Sequence, residues 1–261
     1  MVQKYHNKEE LTKKLRKSEA YQKNSIEIAK ATKNRLTNYL KNKLIGQKLR
    51  LLYFLRVINT RIKGYEYFKF KSKRYKYFHH FYNTTWKNER AVEIPIVMDY
   101  INKYSNRRIL EIGNVISHYY SKKWKVIDKY EKKEGIINRD IIDFKPKKKY
   151  DLIVSISTME HIGFDDEIID KNKVILALRN IKKNCIRQGG LMIITFPLGY
   201  NKFMDSNFFK GKLGFDKEYF FKRISKDNKW VEVHKEDIIN IKYGKPFSAG
   251  NGLVICEYRK P

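Results

Sequence analysis

One stretch constrains the fold of this chain more than any other: Arg107-Arg108-Ile109-Leu110-Glu111-Ile112-Gly113-Asn114-Val115-Ile116-Ser117-His118-Tyr119. An apolar strand ends in an acid and a glycine, and then the chain turns. A second strand, Lys125-Val126-Ile127, follows and ends in Asp128. Strand, Glu-x-Gly turn, helix, strand and acid is the order with which a doubly wound α/β fold holds a nucleoside. The glycine lets backbone approach a ligand, and the acid at the next strand end accepts hydrogen bonds from ribose hydroxyls. Val115 and Ser117 stand where a glycine-rich loop would continue, so the turn is expected to be a variant one.

The alternation continues downstream. An apolar helix over residues 94–101 precedes the first strand. Gly135-Ile136-Ile137 reads as a short third strand leading to Asp140, and residues 151–155 read as the fourth. A helix over 171–185 is stopped by Gly189-Gly190, residues 191–196 form the fifth strand, and residues 252–256 form one more near the C-terminus. Strands alternating with helices imply a mostly parallel sheet covered on both faces.

Charge divides the chain. Lys and Arg number 57 against 28 Asp and Glu, for a net charge of +29. Residues 1–90 carry 24 basic and 6 acidic residues, which sets a basic, aromatic-rich helical extension apart from an α/β domain over 91–261. Asn7-Lys8-Glu9-Glu10 resembles a capping box opening a polar helix, and from Leu44 the pattern strengthens, with Leu51, Leu55, Ile58 and Ile62 on one helical face. Between Tyr65 and Phe81, aromatics interleave with Lys69, Lys71, Lys73, Arg74 and Lys76. Such a segment suits stacking on bases with phosphate contact, an anionic membrane surface, or packing of the rings on the main domain with the lysines solvated. Weak contact of residues 1–90 with nucleic acid or anionic membrane is therefore expected.

Cys185 and Cys256 are the only cysteines, and their spacing suggests neither a disulfide framework nor a thiolate metal site. The histidines lack ligand spacing, so no metal is expected. No uncharged apolar run approaches the ~20 residues of a spanning helix. The expectation is a cytoplasmic protein without a transmembrane segment, at most peripheral to a membrane.

With these elements in order, residues 91–258 resemble the class I S-adenosylmethionine-dependent methyltransferases, in the broad group with a Glu-His pair after strand four. Glu111-Ile112-Gly113 matches the opening of the cofactor loop, and Ser157-Thr158-Met159-Glu160-His161-Ile162 matches the segment after strand four. Gln188-Gly189-Gly190-Leu191 matches the approach to strand five. The resemblance implies a seven-stranded Rossmann-like sheet whose seventh strand runs antiparallel. It implies S-adenosyl-L-methionine as cofactor, held by Glu111, Gly113, Asn114, Asp128, Asp140, Ile141 and Ser157, with Asp143 as the alternative to Asp140 at the adenine. Glu160 and His161 fall where cofactor and acceptor would meet. His161 is read either as a general base or as a structural histidine capping the next turn. His118, Tyr200 and Asn201 are the candidates for acceptor contacts. The implied activity is methyl transfer to a small molecule or glycan. The alternatives are an RNA methyltransferase using the basic arm, or a binding protein that keeps the fold without turnover. The Asn/Asp-Pro-Pro-Tyr tetrad of base-amine methylases is absent from the sequence.

Overall fold

The computed structural model describes residues 30, 33–35, 37–59, 62 and 64–261. The capping box at 7–10 lies outside them. Contacts divide the chain into two compact units, Met1–Ile62 and Lys63–Pro261. In the first, residues 37–59 form helix α1, with Leu44, Leu51, Leu55 and Ile58 exposed. Among the described residues, no helix is long and apolar enough to cross a membrane.

The second unit opens with a hairpin of β1 (Tyr67–Phe70) and β2 (Lys73–Lys76), then helix α2 (Arg90–Lys103). The strands β3 (Ile109–Ile112), β4 (Lys125–Ile127), β5 (Ile136–Ile137) and β6 (Tyr150–Ile156) follow. Helix α3 (Lys173–Asn180) leads into β7 (Ile186–Pro197), and α4 (Lys202–Phe209) into β8 (Lys217–Arg223), β9 (Trp230–Val233) and β10 (Gly252–Arg259). The main sheet has the order β5-β4-β3-β6-β7-β10-β8-β9. Pairing is parallel from β5 through β7, and β10 runs antiparallel to both β7 and β8. The architecture is therefore the expected Rossmann-like one, with the antiparallel strand supplied by β10. The strand count is corrected from seven to eight by β9, which extends the edge beyond β8.

Alternation along the strands sorts side chains onto two faces. Leu110, Ile112, Ile153, Met192, Ile194 and Val254 join Val174 and Leu178 of α3 and Met204 and Phe208 of α4 in one core. Ile109, Leu152, Val154, Ile193, Leu253 and Ile255 join Ile94, Val97 and Ile101 of α2 in the other. That second core also contains Phe68, Phe70, Tyr75 and Tyr77. All seven residues of β6 are buried, as befits a strand paired on both sides and covered on both faces.

The hairpin belongs to the unit that begins at Lys63, and it covers one face of the sheet together with α2. Polar contacts fasten it. Lys71 Nζ donates to Tyr100 Oη at 3.0 Å and pairs with Glu257 of β10, while Tyr100 donates to Glu257 at 2.6 Å. Lys73 Nζ lies 2.6 Å from Asp99 Oδ1, and Tyr75 donates to Asp99 Oδ2 at 2.9 Å. The rings of Phe68, Phe70, Tyr75 and Tyr77 cannot stack on bases because they are buried. Exposed Tyr67 and Tyr65 lie instead under Arg74 and Lys76.

Candidate active site

The turn after β3 is held from below by Glu111. Its Oε1 accepts from the backbone N–H of Val115 at 2.9 Å and of Ile116 at 2.7 Å, and its Oε2 accepts from Trp124 Nε1 at 2.8 Å. Burial pushes this carboxyl up, and those three donors oppose the shift. Glu111 therefore ties the loop to the sheet and does not line the cavity above it. The expected helix after the turn is a single 3-10 turn, Ile116–His118. Val115 packs beside the α2-side core, so its branched side chain does not fill the ligand space.

Gly113 has φ +81°, a conformation that side chains rarely adopt. A Cβ there would stand 2.2 Å from Thr158 Oγ1, so the β3 turn and the segment after β6 touch through this missing side chain. Asp128, at the end of β4, accepts from Asn114 N at 3.0 Å through Oδ2 and from Tyr130 N and Glu131 N at 2.9 and 2.8 Å through Oδ1. One lone pair of Oδ2 remains for a further donor.

These turns line a cavity of about 110 Å³, open to solvent, at the carboxyl ends of β3, β4 and β6. That is the crevice where open α/β sheets bind ligands. Ile112, Ile127, Ile141 and Ile162 give it apolar walls. Gly113, Asp128, Asp140, Thr158 and His161 bring the polar atoms. Across its mouth Lys129 and Lys173 bridge Asp140 and Asp166, and Tyr130 donates to Asp166. Burial would raise Asp166, yet Lys173, Tyr130 and Lys129 bring it down to about 2. Asp140 is likewise lowered on balance, against burial, chiefly by Lys173. Asp143 is exposed and away from the cavity, so Asp140 is the acid on this side.

A second cavity lies next to the first and shares His161 with it. Its walls include Glu89, Arg90, Ser157, Glu160, Tyr200 and Tyr243. His161 Nδ1 lies 2.5 Å from Asp165 Oδ2, which also accepts from Tyr200 Oη at 2.8 Å. Its Nε2 lies 3.6 Å from Glu160 Oε1, so carboxyl groups hold the ring on both sides. Glu160 is 1% exposed, its Oε2 is buried without a partner, and burial pushes its carboxyl well above the usual range.

Several expected site residues have structural duties instead. Asn114 is buried, its Oδ1 accepting from Ser117 Oγ, and it does not line the cavity. Ser157 donates to Glu93 Oε1 at 2.6 Å on the side of the second cavity, leaving Thr158 as its counterpart at the first. His118 stacks on Tyr82 at 4.5 Å and faces Glu131 at 3.5 Å, lining neither cavity. Asn201 is the N-cap of α4: its Oδ1 accepts from Met204 N at 3.0 Å and its Nδ2 donates to Glu160 O at 2.8 Å. With both ends of its amide used and 3% exposure, it lines neither cavity. Tyr200, by contrast, does line the second cavity.

The sequence reading missed Thr158, Asp165, Glu89, Arg90 and Tyr243. The His161-x-x-x-Asp165 spacing was a visible signal for one of them. Among the described residues no cluster of His, Cys, Asp and Glu could hold a metal ion.

In the next turn, Asp205 Oδ2 accepts from Gly199 N at 2.8 Å, and burial pushes its carboxyl up to about 6. The folded value lies above the unfolded one of about 3.9, so folding favours the protonated form. Its contribution to stability is full below about pH 4 and is lost as pH rises through 6. Asp205→Asn, which keeps an acceptor for Gly199, should therefore stabilise the fold by about 1–3 kcal/mol at pH 8 and by nothing at pH 4. Thermal melts at the two pH values check this, and equal gains at both would remove Asp205 as the cause.

No family model and no curated protein sequence matches the chain. Solved structures similar to it include the N-methyltransferase NodS from Bradyrhizobium japonicum WM9 in complex with S-adenosyl-L-homocysteine. That structure is 14% identical with a TM-score of 0.41, covering 67% of this chain and 89% of that one. TehB from Haemophilus influenzae is 12% identical with a TM-score of 0.37, covering 64% and 62%. An rRNA methylase from Escherichia coli is also 12% identical with a TM-score of 0.37, covering 66% and 65%. Likenesses at these scores carry no argument about activity, so the functional reading rests on the chain's own motifs and geometry.

Proposed function

We propose that the chain is an S-adenosylmethionine-dependent methyltransferase acting on a small-molecule or glycan acceptor. The observation that carries this reading is the pair of adjoining cavities that share one oriented histidine. The first suits a nucleoside: Gly113 lets the β3 turn close directly on Thr158 at the cavity wall, isoleucines give it apolar sides, and Asp128 keeps a lone pair for a ribose hydroxyl. Bound there, the cofactor would supply an electrophilic methyl carbon on a sulfonium. The protein's part is alignment and proton removal, and alignment alone accounts for a large share of such rates. His161, with Nδ1 held by Asp165, would take the acceptor's proton at Nε2. Tyr200 keeps Asp165 in place from the other side.

Titration with S-adenosylhomocysteine tests the cofactor assignment. Asp128→Ala should weaken binding about ten- to a hundredfold, the usual effect of deleting a hydrogen bond to a charged acceptor. Asp128→Asn should also weaken it, because its one amide oxygen can take the place of Oδ1 for Tyr130 and Glu131 or of Oδ2 for Asn114 but not both, and its NH2 group cannot accept. An unchanged dissociation constant in Asp128→Ala would take Asp128 out of the site.

A further inference from the structure

The second cavity holds more acid than its own cation can answer. Arg90 is committed to Glu93, with Nη1 2.6 Å from Oε2, and the other oxygen of Glu93 accepts from Ser157 and Thr195 hydroxyls at 2.6 Å each. That leaves Glu89 and Glu160. Glu89 is buried and accepts from Gly250 N at 2.9 Å. Glu160 has the buried, unpartnered Oε2. Among the described residues, neither has a Lys or Arg at ion-pair distance. Tyr200 and Tyr243 meet edge to face at 5.2 Å, and His161 adjoins Tyr200 at 4.7 Å, so the same cavity has an aromatic wall.

We propose that this cavity is a cation subsite that takes an ammonium group of the acceptor, between Glu160 and Glu89 and against the Tyr200 and Tyr243 rings. An anion would meet two buried acids with no Lys or Arg at ion-pair distance among the described residues. An ammonium supplies the donor that Glu160 Oε2 lacks, and aromatic faces attract it further. This deepens the methyl-transfer reading and rests on it only in calling the bound cation an acceptor.

Proton balance gives the subsite a signature. The groups facing Glu160 are Glu89, Arg90 and Glu93 from α2 and its approach, His161 on its own turn, Tyr200 after β7, and Tyr243 before β10. Burial, with Glu93 and Glu89, pushes the Glu160 carboxyl well above the usual range, against its own backbone hydrogen bond and the pull of Arg90. A bound ammonium stabilises the carboxylate, so the acid proton leaves to solvent as the ion pair forms, about one per cation.

The test is calorimetry of the full chain at pH 7 with ethanolamine, a cation at that pH, and with ethylene glycol as its neutral match, in two buffers of different ionisation heat. Ethanolamine is expected to bind at least about tenfold tighter, with about one proton released. Glu160→Gln should abolish the proton release and weaken ethanolamine about tenfold or more at an unchanged melting temperature. Equal affinities for the two probes, no binding of ethanolamine, or binding without proton release by the unaltered chain would each overturn the proposal, even where Glu160→Gln does not fold. S-adenosylhomocysteine reads the first cavity separately. If it binds and the cation does not, the subsite alone falls. If the cation binds and it does not, the methyl-transfer reading alone falls.

Discussion

Phe70→Ala is expected to destabilise the second unit by about 3–5 kcal/mol, although Phe70 lies in a segment that looks like a surface arm in the sequence. Its side chain is 1% exposed, and its ring lies 5.8 Å from that of Phe221 in β8 and 5.1 Å edge-on from Tyr219. Losing it opens a cavity between the hairpin and the sheet, where neighbours anchored by the Lys71–Glu257–Tyr100 contacts cannot collapse freely. For a unit of this size each kcal/mol moves the midpoint by roughly 2–4 °C, so a drop of about 6–20 °C should appear in a thermal melt. A chain beginning near residue 85 loses the whole hairpin and should aggregate, whereas one beginning at residue 63 should melt like the full chain. A Phe70→Ala midpoint within about 2 °C of the unaltered protein would show that the hairpin is an appendage after all.

Gly113→Val should abolish S-adenosylhomocysteine binding, a loss of more than about a hundredfold. Two costs coincide at this position. A β-branched residue at φ +81° is strained by about 1–2 kcal/mol, and its Cβ would overlap Thr158, whose hydroxyl is engaged with Ile156 O at 3.0 Å. The β3 turn must then move away from the segment after β6, which opens the cavity wall. Gly135→Ala is the matched control: Gly135 has φ +75° with nothing within 4 Å of its added Cβ. It should pay the backbone strain and keep the affinity. Equal affinities for the unaltered protein and Gly113→Val would place the ligand elsewhere.

How much of this could be read in advance depended on what each residue does locally. The parallel strands were legible because burial on both faces makes them continuous apolar runs, as in Leu152-Ile153-Val154. β8 was not legible: it reads Lys-Glu-Tyr-Phe-Phe-Lys-Arg, with Lys217 exposed at one end and at the other a buried Arg223 whose guanidinium is met by backbone carbonyls such as Lys87 O and Ser248 O. The hairpin was ambiguous for a related reason. Alternating lysines and rings look the same whether the rings face a ligand or a core, and only the partners Phe221, Tyr219 and Glu257, far along the chain, decide it. In the site, Gly113, Asp128 and Asp140 were legible as strand-end residues, and the fold brings all three to one cavity. Glu111 and Asn201 were misjudged because a carboxylate or amide in a loop motif can serve the loop's own N–H groups as readily as a ligand's. Glu89, Arg90 and Glu93 join the site through α2, which no strand-end motif marks.

The central claim is that the cavity at the ends of β3, β4 and β6 takes the cofactor and hands its reactive end to the cavity beyond His161. A crystal structure of the full chain with S-adenosylhomocysteine tests it most directly. The account predicts the ribose hydroxyls on Asp128, the adenine among Ile112, Ile127 and Ile141, and the sulfur turned toward His161 and the Glu160 cavity. A ligand bound away from Gly113 and Asp128, or one whose sulfur points away from His161, would contradict it.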